Sequence, residues 1–289
     1  MNANLQPQTP AIKDWLTDAK NQLSTVGISN SHLDAEIILA HSISKSRTYL
    51  HANPEQIISA SQIKTANLNL DKRLSRLPIA YIIGHKEFYG RDFIVSPATL
   101  IPRPESEDII DLLKEVLASN LISHFPTPNP QLVDIGTGCG CLGITAKLEF
   151  PSIDVTLIDI SADTLKVAKQ NTKKLLANVT IIQSDLLQNY YKKADIIIAN
   201  LPYVVKTWNR SPETDHEPTM ALFANDQGMS TNKKLIVQAK SSLTPGGYLI
   251  IEADPTQHIS LIKYAKTQSF NLSRQLGYTV VLKCQCSDC

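Results

Sequence analysis

The stretch QLVDIGTGCGCLG, residues 131–143, joins an apolar run to a turn with three glycines and then to a helical segment. The run QLVDI predicts a buried β-strand, and CLGITAKLEF, residues 141–150, predicts the helix that follows. Glycines in such a turn permit tight backbone bends and close approach of a ligand to the main chain. The stretch therefore indicates the first strand, turn and helix of a ligand-binding α/β domain.

The residues that follow continue this alternation of strands and helices. Apolar runs separated by helical segments predict further strands at DVTLIDI (154–160), VTIIQSD (179–185), ADIIIANLP (194–202) and GGYLIIEA (246–253). Strands this rich in Ile and Leu are typical of a parallel sheet that helices cover on both faces. We therefore predict an α/β fold with a Rossmann-like sheet, on which ligands bind at the carboxyl ends of the strands.

Acidic residues near successive strand ends indicate which cofactor the turn holds. Asp134 precedes the glycines, where it would repel the pyrophosphate of a dinucleotide and attract a cationic amino acid group. Asp159 ends the next strand and can accept both hydroxyls of a ribose, and Asp185 is placed to flank an adenine. The Gly-x-Gly-x-Gly spacing also differs from the dinucleotide pattern. These features favour S-adenosyl-L-methionine over NAD, although Asp134 and Asp185 could instead be ordinary strand-end caps.

The sequence Asn200-Leu201-Pro202-Tyr203 places an amide and a phenol at a stiffened turn after a strand of three isoleucines. Its position after the strand that ends at Asp185 should bring it near the methyl group of the cofactor. The Asn200 side-chain oxygen and the Leu201 carbonyl could accept hydrogen bonds from a planar NH2 group and aim its lone pair at that methyl. Tyr203 could pack on the same planar group. We predict these four residues to be catalytic and substrate-binding; the alternative is a capped turn with a core tyrosine.

The first part of the chain has a different pattern. Residues 10–77 carry apolar residues at helical spacing and show no alternation typical of strands. Between positions 79 and 102 the pattern changes, and aromatic and β-branched residues flank Gly84 and Gly90, which indicates a β-hairpin that turns near 90–92. We therefore predict three parts, which are a helical substrate-recognition domain at 1–77, a β-hairpin linker at 78–102 and a catalytic domain at 103–289.

Composition narrows the classes of function. The 289 residues are 43% hydrophobic and carry a formal net charge of +1. This length suits about two domains, and this charge argues against a broad nucleic-acid-binding face. No apolar run approaches the roughly 18 residues of a membrane span, and the N-terminus lacks the pattern of a secretion signal. We predict a cytoplasmic protein without membrane or direct nucleic-acid contacts.

Five cysteines are present, and three of them, Cys284, Cys286 and Cys289, lie in the terminal sequence CQCSDC. Their spacing could bind a metal ion, but a fourth ligand is not evident. We therefore predict a mobile tail and no metal site.

Longer motifs resemble those of the release factor glutamine methyltransferases, the HemK/PrmC family. The strongest matches are PIAYIIGHKEFYGRDFIVSPATLIPRPESE (78–107) and VDIGTGCG (133–140), followed by IIANLPYV (197–204) and HEPTMALFANDQGM (216–229). The sequence PGGYLIIEADPTQ (245–257) is a weaker match. The resemblance extends over almost the whole chain.

This resemblance implies methyl transfer from S-adenosylmethionine, on a class I methyltransferase sheet, to the side-chain nitrogen (N5) of the glutamine in the Gly-Gly-Gln motif of class 1 peptide-chain release factors. The N-terminal helical domain would bind the release factor, and Asn200 to Tyr203 would hold the glutamine. Arg103, Glu105 and Glu217 are candidates for framing the pocket. The predicted cofactor-binding residues are Asp134, Gly136, Thr137, Gly138, Cys139, Gly140, Asp159, Asp185, Leu186 and Asn200.

Leu201 departs from the family, which has proline at this position, so the turn loses one rigid φ angle. Asn-Leu-Pro-Tyr also occurs in rRNA adenine dimethyltransferases. One alternative is therefore an adenine N6-methyltransferase acting on RNA or DNA, which predicts a basic cleft that a net charge of +1 does not favour. Others are a glutamine methyltransferase of a ribosomal protein, which the IPRPES segment disfavours, and a non-catalytic module that binds the cofactor.

Overall fold

The computed structural model describes residues 9–118 and 129–285. The described residues fall into two compact units: one within Met1–Gly84 together with Ser211–His216, and one within His85–Arg210 together with Glu217–Cys289. The first unit contains helices, and the second contains the hairpin and the large sheet. The functions assigned above to 1–77, 78–102 and 103–289 remain predictions.

Within the described residues, the first unit contains five α-helices, which are α1 Ile12–Thr25, α2 Ser31–Ser42, α3 Arg47–Ala52, α4 Ala60–Leu74 and α5 Ile79–Ile83. Its core is a cluster of buried apolar side chains that includes Trp15, Leu23 and Leu39. Burial of each large apolar side chain stabilises the fold by roughly 1.5–3 kcal/mol. Helix α4 begins with a capping box, because the Ser59 hydroxyl accepts from the Gln62 amide and the Gln62 side chain accepts from the Ser59 amide.

The segment from 79 to 94 differs in part from the predicted hairpin. Residues Ile79–Ile83 form helix α5, which ends at Gly84 in the left-handed conformation. The hairpin follows, with strands β1 His85–Phe88 and β2 Arg91–Ile94. Its two-residue loop is Tyr89-Gly90, and both residues have positive φ, as the favoured hairpin turn requires. The strand character inferred for residues 79–83 was therefore wrong, because five residues are too few to reveal a helical period.

Across residues 85–118 and 129–285, the sheet of the second unit has seven strands in the order β5-β4-β3-β6-β7-β9-β8. The strands are β3 Gln131–Ile135, β4 Asp154–Asp159, β5 Thr180–Gln183, β6 Ala194–Ala199, β7 Leu243–Glu252, β8 Phe270–Leu276 and β9 Thr279–Cys284. Strands β3 to β7 pair in parallel, whereas β9 pairs antiparallel with both β7 and β8. The strand order reverses between β3 and β6, and crevices for ligands form at such a switch point.

Six α-helices in the described part of the chain accompany this sheet, and they are α6 Glu107–Ala118, α7 Cys141–Glu149, α8 Ala162–Lys174, α9 Thr219–Leu222, α10 Ser230–Ser242 and α11 His258–Thr267. Helix α7 contacts both α6 and α8, and α10 contacts α11. Every residue of β6 is buried, as expected for a central strand that is covered on both faces. The predicted α/β architecture is therefore confirmed.

The end of the described chain corrects one expectation. Cys284 is the last residue of β9, where it is buried and pairs with Phe270 of β8. A mobile tail was therefore wrong for Cys284, whereas Cys286 and Cys289 lie outside the described residues. Within residues 9–118 and 129–285, no helix combines the length and apolar character that a membrane span requires.

Candidate active site

The second unit contains a cavity of about 510 Å³ at the carboxyl ends of its parallel strands. This volume lies in the range of small-molecule and cofactor sites. Most of the predicted site residues line it, and these are Arg103, Gly136, Thr137, Gly138, Cys139, Asp159, Asp185, Leu186, Asn200, Leu201 and Pro202. The predicted residues outside this lining are Glu105, Asp134, Gly140, Tyr203 and Glu217.

The glycine turn after β3 needs its glycines for two reasons. Gly136, Gly138 and Gly140 all have positive φ, which side-chain-bearing residues rarely adopt. A Cβ atom on Gly136 would also lie 2.7 Å from Cδ2 of Leu201. The Gly138 amide donates to the Asp159 carboxylate at 3.1 Å, so the turn is tied to the end of β4. The result is a stretch of main chain that lines the cavity, which a bound ligand can approach closely.

Asp134 lies beneath this turn and is fully buried. Its Oδ2 accepts from the Thr137 hydroxyl at 2.6 Å and from the Gly143 amide at 2.9 Å. Its Oδ1 has no hydrogen-bond partner within the described structure. Burial raises the pKa of Asp134 to about 6, more than those hydrogen bonds lower it. Asp134 thus shapes the turn and leaves one polar atom uncompensated, which fits a site that receives a cationic group.

Two predicted carboxylates, unlike Asp134, lie on the cavity wall. The Asp159 side chain accepts from the Ser161 amide at 2.9 Å as well as from Gly138, and burial raises its pKa. Asp185 pairs with Lys234 at 2.6 Å in an exposed ion pair, which contributes little stability. Leu186 is buried and has a φ of 52°, an uncommon backbone conformation for leucine. Carboxylates that can accept from ribose hydroxyls, beside a buried leucine, fit the nucleoside part of S-adenosylmethionine.

A chain of hydrogen bonds begins at Asn200, directly after β6. The Asn200 amide nitrogen donates to the Ser106 hydroxyl at 2.8 Å, and Ser106 donates to Oε2 of Glu252 at 2.6 Å. The Tyr203 hydroxyl donates to Oε1 of Glu252 at 2.9 Å. Burial raises the pKa of Glu252, although the hydrogen bonds from Ser106 and Tyr203 oppose this. Burial and the nearby Glu252 carboxylate raise the pKa of Tyr203 far above its usual value.

Contacts from Gln257 and Gly228 also fix the position of the Asn-Leu-Pro-Tyr turn. The Gln257 side-chain nitrogen donates to the Tyr203 carbonyl at 2.9 Å and to the Gln227 carbonyl at 2.8 Å. Gly228 has a φ of 82°, and a Cβ atom there would lie 2.0 Å from the Tyr203 carbonyl oxygen. The motifs at 216–229 and 245–257 therefore both support the turn. Sequence reasoning identified these motifs but did not assign a role to Glu252, Gln257 or Gly228.

Arg103, Glu105 and Glu217, which were predicted to lie around the pocket, have different environments. Arg103 lines the cavity and pairs with the buried Glu217 at 2.5 Å. The other oxygen of Glu217 accepts from the Ile101 amide at 3.1 Å. Glu105 is exposed, whereas the next residue, Ser106, is buried and lines the cavity. The structure therefore brings Arg103 and Glu217 together at the cavity, with Ser106 where Glu105 was expected.

Comparison with known proteins gives matches over both units. The PrmC N-terminal domain model matches residues 14–84, and the Methyltransferase small domain model matches residues 106–215. A release factor glutamine methyltransferase of Koribacter versatilis is 35% identical, covering 86% of this chain and 90% of that protein. A bifunctional methyltransferase of Rickettsia bellii is also 35% identical, covering 84% of this chain and 48% of that protein. The chain thus spans about half the length of some relatives that it matches.

Among solved structures, a methyltransferase from Pyrococcus furiosus has a TM-score of 0.51 at 15% identity, covering 78% of this chain and 99% of that chain. This similarity bears on the fold alone. Together, the matches confirm the resemblance inferred from the motifs, the methyltransferase fold and S-adenosyl-L-methionine as the cofactor. The roles of individual site residues remain predictions.

Proposed function

Because the chain belongs to the release factor glutamine methyltransferase family, we propose that it methylates the side-chain nitrogen of the Gly-Gly-Gln glutamine in class 1 peptide-chain release factors. The observation that carries this proposal is the environment of Asn200. Its side chain lines the cavity at the tip of β6, and its NH2 group is already engaged by Ser106. The Asn200 oxygen is therefore the part of the amide that can accept from a substrate NH2.

Bound S-adenosylmethionine supplies an electrophilic methyl group on a sulfonium. The main chain of the glycine turn and the carboxylate of Asp159 are the groups that would hold it, and Leu186 would pack against its adenine. Asp134 fixes the turn through Thr137 and Gly143. None of these residues needs to exchange a proton during the reaction.

The substrate amide needs orientation more than activation. Its nitrogen is a weak nucleophile because its lone pair is delocalised, and its proton is not removed before the attack at neutral pH. One proton leaves for solvent after the N–C bond has formed and the sulfur has left as a neutral thioether. Acceptance of both N–H bonds, by Asn200 Oδ1 and by the Leu201 carbonyl, would fix the nitrogen with its lone pair toward the methyl. Such positioning can supply a large part of a rate acceleration. Leu201 stands where the family has proline. This substitution changes the side chain but leaves the backbone carbonyl, so the acceptor is retained.

Arg103 would frame the entrance for the glutamine-bearing loop, since Glu217 holds its guanidinium at the cavity wall. The helical first unit would bind the body of the release factor, as the resemblance implies. The proposed location is the cytoplasm, where translation terminates, without direct contact to nucleic acid or membrane.

The proposal is tested by incubating the protein with methyl-labelled S-adenosylmethionine and four separate acceptors. These are a class 1 release factor, the same factor with its Gly-Gly-Gln glutamine changed to alanine, ribosomal protein and RNA. Label on the unmodified release factor alone supports the proposal. Label on RNA, on ribosomal protein or on the alanine variant, or no label at all, contradicts it.

A further inference from the structure

Two buried side chains behind Asn200 carry an inference that rests on the function proposed above and deepens it. We propose that Ser106 and Glu252 are positioning residues that fix the orientation of the Asn200 carboxamide, with its oxygen directed to the substrate. Ser106 is 2% exposed and Glu252 is 1% exposed. Their hydrogen bonds link the end of β6 to the end of β7 and to the segment before α6.

The direction of each hydrogen bond in this chain is set by Glu252. Both oxygens of Glu252 accept hydroxyl hydrogens here, from Ser106 and from Tyr203, so its carboxyl group donates to neither. The Ser106 hydroxyl has a single hydrogen, so toward Asn200 it can only accept. It can therefore bond the NH2 end of the amide and not the oxygen end.

The reversed orientation of Asn200 would be unfavourable for two reasons. The Asn200 oxygen would face the lone pairs of the Ser106 hydroxyl and lie near the Glu252 carboxylate. Neither group would have a hydrogen to donate to it. Its NH2 group would then point toward the substrate NH2, and two donors cannot bond each other. A flipped amide would thus lose the protein contact and the substrate contact together, so correct orientation is a condition for binding the glutamine in reactive geometry.

Two carboxylates of β6 and β7 allow a matched comparison. Asp195 is also buried, and it also accepts from a hydroxyl, that of Thr244 at 2.9 Å, and from a second donor, the Gln131 amide at 2.8 Å. Asp195 lies near the start of β6, whereas Asn200 follows its end. The changes Thr244→Val and Asp195→Asn therefore remove equivalent buried contacts at the amino ends of β6 and β7, away from the cavity.

The kinetic test compares Ser106→Ala and Glu252→Gln with these two control variants. We expect kcat on the release factor to fall about 100-fold in the first pair, as for a reacting group misplaced by about 1 Å, with little change in the KM for S-adenosylmethionine. The controls should lose comparable thermal stability but keep kcat. In an Asn200→Ala background, Ser106→Ala should have no further effect on kcat, because it acts through Asn200. Additive losses, or equal kcat losses in the controls, would overturn the proposal.

A second measurement does not depend on the identity of the substrate. In ¹⁵N-labelled protein, the Asn200 NH2 signal is assigned by its disappearance in Asn200→Ala. We expect its protons to exchange slowly with solvent in the wild type and in the two controls, and quickly in Ser106→Ala. Fast exchange in the wild type would overturn the proposal, even if the release factor is methylated. Slow exchange in a protein that does not methylate the release factor would leave the orientation intact and refute only the proposed function.

Discussion

Among single residues, Gly228 shows how the absence of a side chain helps to position the turn that carries Asn200, the residue proposed to orient the substrate amide. Its Cα lies so close to the Tyr203 carbonyl that a methyl group would overlap the oxygen. The same carbonyl accepts from Gln257, so displacement would also break a hydrogen bond. The Asn-Leu-Pro-Tyr turn can keep its position only if residue 228 is glycine.

We predict that Gly228→Ala lowers kcat by about 100-fold, because the turn must move to make room. The control is Gly90→Ala, since Gly90 also has a positive φ but a Cβ atom there would meet nothing within 4 Å beyond its chain neighbours. Both variants should lose about 1–2 kcal/mol of stability from backbone strain, and Gly228→Ala should lose more because its Cβ also overlaps the Tyr203 carbonyl. Steady-state methylation assays and thermal unfolding would measure both effects. Equal loss of kcat in the two variants would refute a specific role for Gly228.

Asp134 gives a prediction about the dependence of stability on pH. Its ordinary pKa of 3.8 rises to about 6 in the folded protein. Between these values the folded state holds a proton that the unfolded state has released, so the free energy of unfolding falls as pH rises. The fall should amount to about 3 kcal/mol and should be complete above pH 6.

Urea unfolding of the cofactor-free protein at several pH values between 4 and 7 would measure this effect. The comparison is with Asp134→Asn, which does not titrate, while the other buried carboxyls are common to both proteins. The wild type should lose stability relative to the variant as pH rises. A constant difference between the two curves would mean that Asp134 ionises normally.

Residues at the site were predictable from sequence to different degrees. The glycine turn and Asn200 could be located because each directly adjoins an apolar strand. Ser106 and Glu252 could not be assigned, because they lie 94 residues before and 52 residues after Asn200 in the sequence. They come close to Asn200 only once the sheet has formed. A single acid at the end of the apolar strand YLIIE was the available signal for Glu252.

At the scale of elements, the turns after β3 and β6 are packed directly against each other. The Leu201 side chain is 5% exposed and fills the space where a Cβ of Gly136 would lie. A change in the glycine turn after β3, which is proposed to hold the cofactor, should therefore displace the Asn-Leu-Pro-Tyr turn after β6, which is proposed to hold the substrate.

We predict that Gly136→Ala weakens cofactor binding and that adding Leu201→Ala restores part of the loss, because the smaller side chain relieves the overlap. Leu201→Ala alone should cost about 2–5 kcal/mol of stability through the cavity it leaves. Calorimetric titration with S-adenosylmethionine would give the affinity of the three variants and the wild type. Independent, additive losses in the double variant would show that the two turns are not coupled in this way.

The five parallel strands of the large sheet were predictable because each contains a short run of Ile, Leu or Val. Strand β8 was not predicted, since six of its seven residues are exposed and it has no apolar run. Helix α5 was not, since its five residues are mostly β-branched or aromatic and end at a glycine, a composition shared with hairpins. Cys284 was misplaced for a related reason. The short strand β9 has no sequence signal that separates its buried last residue from a free tail.

For the whole molecule, the formal net charge of +1 bears on the choice between protein and nucleic-acid substrates. An enzyme that neutralises several phosphates loses about 10³–10⁵-fold in affinity between 50 and 200 mM salt. We predict that kcat/KM for the release factor changes by less than about 10-fold over this interval. Steady-state assays across the salt series would measure it. A steep decline would favour a nucleic-acid substrate or a strongly charged protein interface.

The most direct test concerns the Asn200 side chain and the glutamine that it is proposed to hold. Single-turnover methylation of a Gly-Gly-Gln release factor should be measured with saturating S-adenosylmethionine, in the wild type and in Asn200→Ala. The rate should fall at least about 100-fold in the variant, while thermal stability and cofactor affinity change far less. A rate in Asn200→Ala close to that of the wild type would contradict the assignment of Asn200 as the acceptor that orients the substrate amide.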